Sequence, residues 1–110
     1  MEQLFENEHY RAVRTDCNES SDITVINFEP WRHSRSANET LPFENVKQDN
    51  FINQKGMNAI FLQTRRNDWY QSDGILDAID SIVKDRRRKE VFVNYGTSMG
   101  GMLPHRFRQL

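Results

Sequence analysis

Three stretches of the chain carry the pattern of β-strands. Asp22-Ile23-Thr24-Val25-Ile26-Asn27-Phe28 is dense in β-branched and aromatic residues and is closed by Glu29-Pro30, where a proline cannot continue a ladder. Met57-Asn58-Ala59-Ile60-Phe61-Leu62-Gln63-Thr64 is a largely apolar run of strand length, as expected where both faces of a parallel sheet are covered. The third run begins at Glu90 or Val91 and continues through Phe92, Val93, Asn94 and Tyr95. Between the first two, Thr40 as a cap and Pro42 in the first turn open a predicted amphipathic helix with Phe43, Val46, Lys47, Asn50 and Phe51 at helical spacing, ending at Gly56. Between the second and third, Ser72 or Asp73 caps a stronger one, with Ile75, Leu76, Ile79, Ile82 and Val83 in one stripe.

Residues 1–21 are weakly patterned, with an edge strand over His9 to Thr15 and a turn from Asp16 to Ser21. Two polar loops, 31–39 and 65–72, follow the first two strands. Strand, helix, strand, helix, strand at this spacing implies right-handed crossovers. The expectation is therefore an α/β fold: a short, mostly parallel sheet of three or four strands with flanking helices on both faces.

Composition narrows the setting. The 110 residues suit one domain, 1–110, with an irregular tail over 104–110, and 28% charged residues with a mean hydropathy of −0.84 imply a thin core. A formal charge of −1 supplies no field toward nucleic acid or anionic lipid. No run of 18 apolar residues and no basic-then-apolar start occurs, and the lone Cys17 has no internal disulfide partner, so a cytoplasmic protein without membrane contact is expected. The sequons at Asn18 and Asn38 then carry no glycan.

The third strand runs directly into Gly96-Thr97-Ser98-Met99-Gly100, a G-x-S-x-G pattern followed by Gly101. Such a turn presents a serine hydroxyl where strand reverses into helix, with backbone N–H groups facing developing negative charge. Tyr95 to Gly101 resembles the nucleophile elbow of the α/β-hydrolase family, and the resemblance extends over roughly residues 22–103, the half of that fold that ends with the elbow. The loop Arg66-Asn67-Asp68-Trp69-Tyr70-Gln71 also resembles one in bacterial α/β-hydrolase-like proteins associated with surface polysaccharide.

The resemblance implies Ser98 as nucleophile and the Met99 N–H as one oxyanion-hole donor. It puts the second donor in the stretch after Phe28, where Pro30 has no N–H and Trp31 or Arg32 is the candidate. That stretch lacks a His-Gly-Gly type sequence. In the family, the acid and the histidine follow on later strands, and here only 12 residues follow Ser98. His105 would stand about 10 Å along a continuing helix, and Pro104 interrupts that helix. Neither His9 nor His33 occupies the position of the family's base. The chain is thus expected to be truncated and to turn over little substrate alone, the substrate of the complete protein being a small-molecule ester or acyl compound.

Trp69 and Tyr70 are expected to line a substrate cleft at the carboxyl edge of the sheet, or else to pack over that edge. The basic run Lys84 to Lys89 reads as a solvated helix end rather than a nucleic-acid site, and Asp77, Asp80 and Asp85 as an exposed helix side. No metal or cofactor is expected. Gly96 to Gly101 could alternatively cradle an anion, without the spacing of a nucleotide loop. The alternative to the hydrolase is a non-catalytic pseudoenzyme fragment that binds other chains, or itself, through an open sheet edge.

Overall fold

In a computed structural model the described residues are 1–30, 39–68 and 70–96. They form one five-stranded sheet of strands β1 (Glu2–Glu6), β2 (Tyr10–Thr15), β3 (Ile23–Phe28), β4 (Asn58–Thr64) and β5 (Val91–Gly96), with one α-helix, α1 (Ile75–Lys84). The spatial order is β1-β2-β4-β3-β5. β2 runs antiparallel to both β1 and β4, whereas β3 runs parallel to β4 and to β5.

This corrects the expected mostly parallel α/β sheet with flanking helices. The sheet is mixed, it dominates the described residues, and a single α-helix accompanies it. Two local causes account for the difference.

The first lies at the amino end. In Glu2-Gln3-Leu4-Phe5-Glu6 the apolar residues are neighbours and show no alternation, so the segment lacks a strand signature. The pairing register shifts between Gln3 and Phe5, a bulge that lets Leu4 and Phe5 both pack against the main core. β2 consequently lies inside the sheet, between β1 and β4.

The second cause lies in 40–56, which holds only a short 3-10 turn at Asn53–Lys55. Helix-competing bonds are made instead. The Asn50 carboxamide accepts from the N–H groups of Ile52 and Asn53 and donates to the Lys47 carbonyl. Upstream, the Leu41 N–H donates to the Arg65 carbonyl, and the Glu44 carbonyl accepts from the side chains of Arg11 and Gln63. The Glu44 carbonyl, which a helix would use internally, is thus claimed by the sheet beneath.

The larger core lies between the sheet and α1, where Tyr10, Ala12, Ile26, Phe28, Ile60 and Leu62 meet Ala78, Ile79 and Ile82. Period-2 alternation puts Val25 and Ala59 on the opposite face, packed against Ile52 under the 39–57 segment. The α1 stripe is narrower than its sequence suggests, since Leu76 and Val83 are exposed.

Neither Ser72 nor Asp73 caps α1. Its N-cap is Gly74, in the left-handed region at φ 87°, and a Cβ there would stand 2.0 Å from Asn7 Nδ2. Gly74→Ala is therefore expected to cost about 1–3 kcal/mol in urea unfolding, from backbone strain plus displacement of the Asn7 side chain. An Ala variant as stable as the parent would contradict this geometry.

The basic run after α1 is partly engaged. Arg86 donates through Nε to the Glu90 carbonyl and lies over Phe92, and Arg87 makes a two-pronged pair with Asp16, each bond 3.0 Å.

Candidate functional site

β3, β4 and β5 are parallel, so their carboxyl ends at Phe28, Thr64 and Gly96 gather at one sheet edge, and the antiparallel β2 begins there with Tyr10. Ligands of parallel sheets bind at such an edge, where consecutive connections leave in opposite directions. Here β4 lies on one side of β3 and β5 on the other.

Asp68 organises the loop after β4. One carboxylate oxygen accepts from the Tyr10 hydroxyl at 2.6 Å, the other from the Tyr70 N–H at 3.0 Å, and the Tyr10 oxygen accepts in turn from the Ser72 N–H at 2.9 Å. This closes an Asx-type turn in which Tyr70 takes φ 57°. Burial, and then the Asp68 carboxylate, push the Tyr10 phenol well above its ordinary pKa. It remains protonated near neutrality and is a fixed hydrogen-bond donor.

Tyr70, expected in a substrate cleft, is 1% exposed. Its ring stacks on Tyr10 with centroids 6.1 Å apart and meets Phe28 edge-on at 6.2 Å, and its hydroxyl donates to the Glu29 carbonyl at 2.6 Å. Its visible role is to hold the first residue of the segment that follows β3. The other expected site residues, Ser98, Met99, Trp31 and Trp69, lie outside the described residues, as do His33, Pro104 and His105.

His9 precedes β2, three strand spacings from β5, which amounts to roughly 14 Å across the sheet. It therefore does not sit beside the end of β5. Asp80 pairs with Lys84 and Asp85 with Arg14, and among the described residues no group of three or more His, Cys, Asp or Glu is arranged to hold a metal ion.

At the opposite end of the parallel strands lies a cluster that sequence reading missed. Arg14, 1% exposed, bonds Glu90 through Nη1 at 2.7 Å and Nη2 at 3.0 Å, and Asp85 through Nε at 2.8 Å. Thr24 Oγ1 and the Arg87 N–H also donate to the Glu90 carboxylate. Burial would raise the Glu90 pKa, but Arg14, Thr24 and Arg87 outweigh it and hold the group at about 2. Alternation in β2 does put Arg14 on the face of Tyr10 and Ala12, a hint of a buried cation. Its partner, 76 residues away, has no local signature.

Comparison with protein-family models, with curated proteins and with solved structures finds no match to this chain. The functional reading therefore rests on its own residues. Among the described residues no helix is long and apolar enough to cross a membrane.

Proposed function

We propose that Ser98 is the nucleophile of an acyl- or ester-hydrolysing or acyl-transferring centre related to the α/β-hydrolases, with the Met99 N–H and an N–H near Trp31 as oxyanion donors. One observation carries the reading: β5 is parallel to β3, with Phe28 paired to Gly96. The G-x-S-x-G motif therefore starts at the carboxyl end of a parallel strand, directly beside the segment that begins at Glu29. Ser98 is two residues beyond one paired position and Trp31 three beyond the other, so chain length allows both to reach a common point within about 10 Å. The hole and the nucleophile need that proximity. No base is identified among the described residues, so the chemistry requires an acid and a base beyond this set. The free thiol of Cys17 suits a reducing, cytoplasmic compartment.

A second reading, an interaction module, is favoured by β5 itself. Val91, Val93 and Tyr95 are 51%, 46% and 49% exposed on one face, beside exposed Ile23 and Phe51. An apolar stripe of that kind on a strand suits a protein partner.

The readings separate in one experiment. Treatment of the 110-residue chain with a fluorophosphonate, followed by peptide mapping, is expected to modify Ser98 slowly but selectively over exposed Ser20, with loss of the adduct in Ser98→Ala. An oxyanion hole without its base still retains about 10³-fold assistance over water. Equal reactivity of Ser98 and Ser20 would remove the hydrolase reading and leave the interaction module.

A further inference from the structure

On the sheet face opposite α1, a cavity of about 450 Å³ is lined by Glu6, Arg11, Thr40, Leu41, Pro42, Phe43 and Arg65. Two guanidinium groups approach one ring there, that of Arg11 at 5.0 Å and that of Arg65 at 4.5 Å from the Phe43 centroid. We propose that Arg11 and Arg65 bind the head of a small organic anion, a carboxylate or phosphate monoester, whose apolar or aromatic body lies against Leu41, Pro42 and Phe43. This inference does not depend on Ser98.

Neither arginine makes a salt bridge among the described residues, although the Glu6 carboxylate lines the same cavity. Arg11 is fixed by neutral acceptors, with Nε on Gln63 Oε1 at 2.8 Å and Nη2 on the Glu44 carbonyl at 2.7 Å. Gln63 is itself buried and anchored to the same carbonyl at 2.7 Å. Arg65 is held by its backbone, its N–H donating to the His9 carbonyl and its carbonyl accepting from Leu41. Its guanidinium has no hydrogen-bonding or carboxylate partner among the described residues, and Nε is buried without an acceptor.

Contact with a ring consumes none of the hydrogen-bonding capacity of a guanidinium, so the Nη donors of Arg65 remain available to an anion. Two cations within about 10 Å of each other lie inside one Debye length and repel, and an anion within reach of both offsets that repulsion. Both are already ordered by ring and backbone, so little conformational freedom remains to be lost on binding. The cavity is larger than a bare inorganic ion needs, and its Leu41-Pro42-Phe43 side offers an apolar surface.

Calorimetric titration of the full chain with phenyl phosphate, benzoate and inorganic phosphate tests the proposal. At least one of the two aryl anions is expected to bind with a Kd of about 1 mM or tighter. Inorganic phosphate is expected to bind at least about tenfold more weakly than that ligand, for want of an apolar body. The stronger aryl ligand identifies the head group.

Arg65→Gln should weaken binding at least about tenfold. Glu6→Gln, which removes the carboxylate lining the cavity, should tighten it about two- to threefold. Absence of aryl-anion binding at about 10 mM, undiminished affinity in Arg65→Gln, or inorganic phosphate binding as tightly as the aryl ligands would overturn the proposal. Should Arg65→Gln not fold, unchanged affinity in Glu6→Gln would overturn it equally.

Discussion

Glu90→Gln is expected to lower the unfolding free energy near pH 7 by about 3–5 kcal/mol, a large share of what a domain of this size possesses. The reason is the position of Arg14. It stands one residue before the end of β2, on the face that packs against α1, and its fork is filled by Glu90 on one side and Asp85 on the other. The substitution removes the negative charge and leaves the guanidinium buried against one carboxylate that is about a third exposed. It also deprives Thr24 Oγ1 and the Arg87 N–H of a charged acceptor. By contrast the Arg87–Asp16 pair, about half exposed on both sides, is worth at most about 1 kcal/mol.

The same group predicts a pH dependence whose sign follows from its depressed pKa. Glu90 titrates at about 2 in the folded chain against 4.5 for an ordinary glutamate. Its contribution is therefore complete above the unfolded value and is lost as pH falls from about 5 toward 2, roughly 3 kcal/mol in all. Urea unfolding of parent and Glu90→Gln across this range should show two curves that converge on acidification. A constant gap between them would mean that the carboxylate is not the source of the difference. Replacing Arg14 and Glu90 together by Met and Leu should recover most of the loss, since the cost is an unpaired buried charge and not a missing attraction.

The parts of the fold legible in sequence are those whose local pattern and tertiary role agree. β3 and β4 coincide with runs of apolar and β-branched residues, and α1 with a 3.6-residue stripe, because each buries most of the side chains that form its pattern, whereas β5 follows its apolar run although only Phe92 packs against the main core. β1 was illegible because a bulge at Leu4 replaces alternation by adjacency. The segment 40–56 misled because Phe43, Val46 and Phe51 have helical spacing, while Asn50, Arg11 and Gln63 supply bonds that draw its backbone into another path. From those two segments came the expectation of flanking helices and of a mostly parallel sheet. The G-x-S-x-G motif is visible in any reading, since it is contiguous. The Arg11–Phe43–Arg65 arrangement was not, because it joins residues from three separate segments of the chain.

Tyr70 links packing to the proposed chemistry, and its variants are expected to fall in an unusual order. Truncation of this buried ring to alanine should cost about 3–5 kcal/mol through lost contacts with Tyr10 and Phe28 and the cavity left behind. Glycine leaves a slightly larger void yet relieves the left-handed backbone, which costs an L-residue about 1–2 kcal/mol. Tyr70→Gly should therefore equal or exceed Tyr70→Ala in stability, the reverse of the ordinary ranking, and chemical denaturation reads this directly. Tyr70→Phe retains the ring and removes the 2.6 Å bond to the Glu29 carbonyl, for about 1–2 kcal/mol. That bond anchors the residue from which the chain proceeds toward Trp31. Where this segment supplies the second oxyanion donor, Tyr70→Phe slows phosphonylation of Ser98 by more than its modest loss of stability explains, because a donor displaced by even a fraction of an ångström no longer faces the developing charge. An unchanged rate in a folded Tyr70→Phe chain would separate the segment after β3 from the chemistry of Ser98.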